Sequence, residues 1–430
     1  MVDAANGERD LASLVVPDIG QLIKTGDQWE PYQLIDGGGA VVAPVAAYLA
    51  ELQAASCAAS TLRSYGMDLL RWLRFLAAVE VPWDRATQVE ARDFARWMQI
   101  TDKPIRVHWR RRGDEGSLAS AGQGASSYGL PAGTPNSVTG KPTPGRKYAA
   151  STRAHAETVL RSFYDFHLEA GRGPIINPFP LDRSRRAGRA NAHHNPLDPF
   201  KHERQGRYRP RTPKRIPRRI PDEKFDELFA ALKWNRDRAL LAFWVSTGAR
   251  AEELLGADQH DADPGQQLIS VTRKGSREVQ QLPASPDAFV WLRLYQEEIW
   301  RKGVPRGRNR PLWWTLRRPW RPLNYYAARA MFARANDVLG ANWTLHDLRH
   351  TAAYRMVRDP GLPLTDVQWV LGHRHLSTTQ LYTTASRDEV ITSVLEHHER
   401  QAKQDRTQAT PPPASGYNPD SLNILFGPLS

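Results

Sequence analysis

Between Lys201 and Arg219 the chain carries nine Lys or Arg, one acid (Glu203) and three prolines, Pro210, Pro213 and Pro217. Proline removes a backbone donor and disfavours helix at the residue before it, so no regular helix is expected there. Like charges at this density also repel one another and resist collapse into a core. The sequence on either side has strong hydrophobic periodicity. The 430 residues must therefore fold as separate units joined by a basic, proline-stiffened linker at 181–219.

Upstream of the linker the pattern is helical. Val45, Leu49 and Leu52 share one face of a helix that begins near Pro44. A second helix carries Leu62, Tyr65, Leu69, Trp72, Leu73 and Leu76, with Ser60-Thr61 as candidate caps. A third, preceded by Thr87, runs from Val89 to Ile100, and a fourth starts at Ser151-Thr152 and ends at Gly171. These predict a small four-helix domain over 41–180. Residues 1–40 read as an extended or loosely packed arm, too short for a further folded DNA-reading domain. A Gly/Ser/Pro-rich insertion, about 102–149, interrupts the helices and reads as flexible loop. Its basic start (RVHWRRR) offers Arg106, Arg110, Arg111 and Arg112 as a strand lying along nucleic acid, or simply as a solvated loop.

Downstream, over 220–400, helices are predicted at 222–232, 238–245, from about 249, and at 286–300, 325–339, 346–357 and 364–371. A final one covers Arg387 to Arg400. One stretch changes period. Leu268, Ile269 and Val271 suggest a strand, RKGS a turn, and Glu278 to Leu282 the return strand. The tail, 401–430, is polar apart from Leu422, Ile424, Leu425 and Phe426. The fold class is thus mainly α with a small antiparallel β-sheet.

Charge narrows the partner. The 59 Lys+Arg against 46 Asp+Glu give +13, which favours a polyanion. Lys214, Arg215, Arg218 and Arg219 in the linker are candidates to follow a phosphate backbone. A single cysteine, Cys57, excludes an internal disulfide framework and a multi-cysteine zinc site. The start, MVDAANGERD, lacks a basic segment followed by an apolar one, and no apolar run approaches the ~20 residues of a membrane span. A soluble, cytoplasmic and nucleoid-associated protein is expected.

The chemistry concentrates in LHDLRHTAAYRMVRDPGLPLTDVQWVLGHRHLSTTQLY, Leu345 to Tyr382. Without a metal, breaking a phosphodiester needs fixed cations for the non-bridging oxygens, an in-line nucleophile and proton carriers. Arg250, Lys274, His346, Arg349, His373 and Tyr382 are the candidates. Singly, each has an ordinary reading: a surface arginine, a turn lysine, a capping histidine, a core tyrosine. His346 and Arg349, three apart, share a helix face.

Taken together, their order and spacing resemble the tyrosine recombinase (phage integrase) family. Arg250 stands in STGARAEELLG, with Glu253 three residues on. Lys274 follows 24 residues later in a β-turn, HDLRH supplies His346 and Arg349, and LGHRHLSTTQLY supplies His373 and, nine residues on, Tyr382. The resemblance covers about 220–400 at motif level, and 41–180 looks like the family's SAM-like core-binding domain by pattern. It departs in the long insertion, the basic linker, and Thr384, where the family usually has histidine.

The resemblance implies a site-specific DNA recombinase acting in integration, excision or transposition of a mobile element. Tyr382 would attack the scissile phosphate to give a 3′-phosphotyrosyl link and a free 5′-hydroxyl. Arg250 and Arg349 would clamp the non-bridging oxygens. Lys274 would be the general acid, His346 the proton carrier acting as base, and His373 a hydrogen-bond donor. Glu253 and Asp347 would buttress the two boxes. It implies no cofactor, metal or ATP. Its partners would be duplex DNA bearing specific sites and, on two such sites, a homotetramer, with a monomer off DNA. An accessory recombinase or directionality factor is a further implied partner. Two alternatives stay open: a type IB topoisomerase-like relaxing enzyme, and a DNA-binding protein with a decayed site.

Overall fold

The computed structural model describes residues 9–104, 131, 133–143, 145–182, 205–210, 218–383, 394–396, 399–400 and 423. It divides into two compact units, the first made of Met1–Asn136 with Gly140–Lys214 and the second of Ser137–Thr139 with Arg215–Ser430.

In the first unit the described helices are α1 (Ala43–Ala54), α2 (Ala59–Ala78), α3 (Gln88–Ile100) and α4 (Ala150–Glu169). The apolar stripe of α2 is buried through Leu62, Leu69, Trp72, Phe75 and Leu76 against Phe94 of α3 and Val159, Leu160 and Phe163 of α4. The indole of Trp72 donates to the Tyr164 hydroxyl at 2.9 Å, which in turn donates to the Trp83 carbonyl. Thr87 caps α3 in a box with Glu90, as its position suggests. Ser60 and Thr61 do not cap α2, which begins earlier with Ala58 at the N-cap.

The expected loose arm is instead folded. Strands β1 (Gln21–Lys24) and β2 (Tyr32–Ile35) form an antiparallel hairpin, Leu11 and Leu34 enter the core, and Arg9 pairs with Glu90 and Asp93 at 2.6 and 3.0 Å. The hairpin sits on α2 at Gly66, where a Cβ would lie 2.6 Å from Leu22 Cδ1. Part of the expected linker is also packed. Leu181 pairs with Gly206, Arg207 N donates to Pro180 O, and Tyr208 N donates to buried Glu157 at 3.1 Å. Polar Gln205-Gly206-Arg207 has no period, and the pairing that orders it comes from Pro180 and Leu181, far back in the chain. The neck of the insertion is closed by pairing of Asp102 with Lys147.

In the second unit helix α5 (Asp222–Ala231) leads to α6 (Asn235–Thr247), which is buried along nearly its whole length, with Leu240, Leu241, Phe243 and Trp244 in the core. A short α7 (Ala251–Leu255) follows. Then comes an antiparallel sheet in the order β3 (Ala262–Asp263), β4 (Leu268–Thr272), β5 (Val279–Pro283). Ile269 pairs with Leu282 and both are buried, whereas Val279 and Gln281 face outward, the alternation of a half-buried sheet. The remaining helices are α8 (Pro286–Arg301), α9 (Tyr325–Val338), α10 (Leu345–Arg358), α11 (Leu364–Leu371) and α12 (Leu376–Gln380). The predicted fold class therefore holds: mainly helical, with small antiparallel sheets. No described helix is long and apolar enough to cross a membrane. The helix expected over 387–400 and the apolar tail residues lie outside the described residues, apart from fragments.

Candidate active site

Helix α6 ends at Gly248, which adopts the left-handed conformation (φ +62°) and whose Cβ would come within 2.7 Å of Leu371 Cδ2. The chain turns sharply there, and Arg250 becomes the N-cap of α7. Glu253 then receives Arg250 N at 3.0 Å and Arg250 Nη1 at 2.7 Å. It also receives Arg273 Nη1 and the backbone N–H of Lys274, both at 3.0 Å. Glu253 is only 4% exposed. Burial alone would push its carboxyl up, but the backbone N–H groups of Lys274 and Arg250 and the Arg250 guanidinium hold it down at about 2. One buried anion thus fastens the first arginine to the β4–β5 turn.

That turn runs between Thr272 and Val279, with Gly275 (φ +110°) at its bend. Its first residue, Arg273, is buried. It donates to Gln280 Oε1 at 2.6 Å and to the Val370 carbonyl near the end of α11. Lys274 points outward, its side chain 54% exposed and its Nζ 3.0 Å from Glu252, itself exposed. An exposed pair of this kind is weak, so the ammonium group is free to exchange partners.

Helix α10 starts in a capping box of Thr344 and Asp347. Arg349 is 3% exposed. Its Nη1 donates to Gly248 O and its Nη2 to Leu371 O, each at 2.6 Å, so one guanidinium ties the ends of α6 and α11. Burial, then the neighbouring Arg250, lowers it to about 10, which still leaves it charged at neutral pH. His346 is exposed, and its ring lies edge-on to His350, 4.4 Å between centroids.

Gly372 (φ +61°) ends α11 beside the Arg273 guanidinium, where a Cβ would be 3.1 Å from Nε. His373 comes next, its Nδ1 3.0 Å from the buried Thr379 hydroxyl. Burial, followed by Arg349 and Arg250, depresses its pKa to about 4, so the ring is neutral at physiological pH. With the Thr379 hydroxyl as donor, the ring proton resides on Nε2. Tyr382 follows α12 and is 7% exposed. Its ring packs with Ala353, Val367 and Leu371 and lies parallel to His373 at 6.3 Å. The hydroxyl is 2.7 Å from His350 Nδ1. Burial pushes the phenol up and Arg349 opposes it.

Arg250, Arg349, His373 and Tyr382 therefore sit in one electrostatically connected cluster, with Lys274 attached through Glu253 and His346 reached through His350. Arg273 and His350 are additions that the sequence did not single out. Arg273 flanks a turn lysine and carries no periodic signal. His350 lies four residues after His346, one turn along the same helix face, and that spacing could have singled it out. Of the backbone-following set, Arg106, Arg110, Arg111, Arg112, Lys214 and Arg215 lie outside the described residues. Arg218 and Arg219 are exposed, and Arg219 stacks on Tyr354 at 4.1 Å.

Residues 218–389 match the phage integrase family, and residues 45–104 match the phage integrase N-terminal SAM-like domain. Tyrosine recombinase XerD of Xanthomonas campestris pv. campestris is 30% identical over 266 residues, covering 59% of this chain and 74% of that protein. The chain belongs to the tyrosine recombinase family. It is an enzyme of that family's type, a site-specific recombinase. Tyrosine recombinase XerC of Bacillus pumilus is 31% identical over 204 residues, 45% of this chain and 66% of that one. Among solved structures, the Tn1549 transposon integrase in complex with transposon right end DNA aligns with a TM-score of 0.51 at 13% identity. That alignment covers 85% of this chain and 99% of that one, and supports the recombinase fold.

Proposed function

We propose that this recombinase cleaves and rejoins duplex DNA through a 3′-phosphotyrosyl intermediate at Tyr382, in the integration, excision or transposition of a mobile element. The observation that carries the reading is the packing of Tyr382 against Leu371, whose carbonyl Arg349 holds at 2.6 Å, so that the phenol lies in the field of that guanidinium. Fixed cations next to a nucleophilic oxygen suit attack on a phosphodiester, because charge grows on the non-bridging oxygens as the bond forms. Arg349 commits two of its five N–H donors to carbonyls and keeps the rest for phosphate. Arg250 supplies the second clamp. Lys274, on an outward-facing turn, protonates the departing 5′-oxygen, and His373 donates from Nε2. His346 carries protons at the solvent side. Storing the bond as a phosphotyrosine conserves its energy, so a new 5′-hydroxyl can reclaim it without ATP. On two sites, four copies would act together.

The substrate is found by covalent capture. Lightly nicked genomic DNA from the source organism is incubated with the protein, and denaturation-resistant adducts are sequenced. A nicked duplex bearing the recovered site then serves as a substrate whose short 5′ fragment diffuses away. Wild type is expected to accumulate an adduct through Tyr382, and Tyr382→Phe none. An adduct-free wild type would sink the proposal. Relaxation of a supercoiled plasmid lacking the site would point instead to a topoisomerase.

The linker cations extend the reading to affinity. Substituting Arg215, Arg218 and Arg219 with Gln is expected to weaken binding to all sequences. It should also reduce the slope of log K against log salt by about 0.9 for each phosphate no longer neutralised. Fluorescence anisotropy over a salt series measures both, and an unchanged slope makes the segment a spacer.

A further inference from the structure

We infer that His350, in place of the His346 to which the resemblance gives that role, is the general base that takes the proton of Tyr382 during DNA cleavage and returns it on rejoining. The inference rests on the reading of Tyr382 as the nucleophile.

The geometry assigns the role directly. A buried phenol is held protonated, and attack by its oxygen requires an acceptor in contact with that proton. Among the described residues, the side-chain atom hydrogen-bonded to the Tyr382 hydroxyl is His350 Nδ1, at 2.7 Å. With the phenol as donor in that bond, Nδ1 carries the lone pair and the ring proton lies on Nε2. This is the protonation state a base needs. His373, the other histidine beside the tyrosine, has its ring parallel to the phenol with centroids 6.3 Å apart, and its Nδ1 is engaged by Thr379.

The proton also has an exit. The His346 ring lies edge-on to the His350 ring, 4.4 Å between centroids, and is exposed. The two histidines are one helical turn apart on α10, which makes a path from nucleophile to solvent. Arg349, on the same helix, provides phosphate contact, so one rigid element carries the base, the clamp and the exit.

The step balances as follows. The Tyr382 O–H bond breaks as its proton moves to His350 Nδ1, and the phenolic oxygen forms the new bond to phosphorus. The bond from phosphorus to the 5′-oxygen breaks, and that oxygen leaves with a proton from Lys274. In rejoining, the incoming 5′-hydroxyl gives its proton to Lys274. The departing tyrosine oxygen recovers its own from His350.

The test is single-turnover cleavage of the captured-site nicked duplex by full-length wild type, His350→Asn and His350→Ala. Asparagine can place an oxygen near the position of Nδ1 and keep the tyrosine bonded, but it cannot take a proton at neutral pH. Both variants are expected to bind the duplex normally and to cleave it about 10²–10³-fold more slowly. Added imidazole fits the space left in His350→Ala and should recover about tenfold of the rate, while leaving His350→Asn unchanged. Wild-type cleavage by His350→Asn, or a His350→Ala rate that imidazole does not move, overturns the assignment. Peptide mapping of the wild-type adduct separates the two claims. An adduct on another residue ends the reading of Tyr382, whereas an adduct on Tyr382 with a fast His350→Asn variant ends only this inference.

Discussion

Glu253→Gln is expected to lower stability by about 3–5 kcal/mol and to abolish measurable strand cleavage. The carboxylate accepts from two guanidinium groups and two backbone N–H groups while almost wholly shielded from water. The amide keeps the shape but can accept through one oxygen only, and it turns an NH₂ toward donors. Arg273 is then left buried without its anion, which costs more than the pair contributed. Arg250 loses the hydrogen bond that aims it, and the β4–β5 turn loses its anchor to α7, so Lys274 drifts as well. Chemical denaturation measures the first effect, and the nicked-duplex assay measures the second. The pH profile adds a sign. Glu253 is depressed from an ordinary 4.5 to about 2. Its contribution is fully present above 4.5 and is lost as pH falls through 2. Wild type should therefore lose stability across that window more steeply than Glu253→Gln. A variant that melts and cleaves like wild type would mean the anion only fills space.

Much of this architecture could be read from spacing because its signals are local. The helices of the second unit announce themselves through apolar patterning, α6 as a buried run, and β4–RKGS–β5 through a change of period around a glycine turn. The six catalytic candidates were visible for the same reason, since they follow short motifs at the ends of those elements. What stayed hidden depends on partners distant in sequence. The β1–β2 hairpin has four residues per strand and is ordered by α2, where Leu22 meets Gly66, 44 positions on. Residues 205–208 are held by Glu157 and Pro180. Arg273 reads as a turn residue until Glu253 and Val370 close around it. His350 gave no sign that its ring would meet a hydroxyl 32 positions away. The glycines are intermediate. STG and LGH suggest helix ends, but only the fold reveals that Gly248 must make room for Leu371 and Gly372 for Arg273.

Arg349→Lys should be as damaging to cleavage as removal of the side chain, although the charge is kept. The guanidinium spans two carbonyls, Gly248 O and Leu371 O, which terminate the helices leading to Arg250 and His373. A lysine ammonium is a single point with a different reach and cannot bridge both in the plane of the fork. Leaving one buried carbonyl without its charged donor costs about 1–3 kcal/mol. The larger loss is geometric, because the α6 and α11 ends would no longer be held together and Arg250 and His373, which follow them, would lose their fixed spacing. Misplacing a reacting group by about 1 Å can cost roughly 10²-fold in rate. With the proposed grip on phosphate also gone, a fall of about 10³-fold or more is expected in single-turnover cleavage. Affinity for the duplex should change little, since most of it comes from backbone contacts elsewhere. Binding and cleavage measured on one substrate therefore separate the two roles. A lysine variant that retains most of the cleavage rate would show that charge alone suffices at this position, and that the tie between the two helix ends is not needed for chemistry.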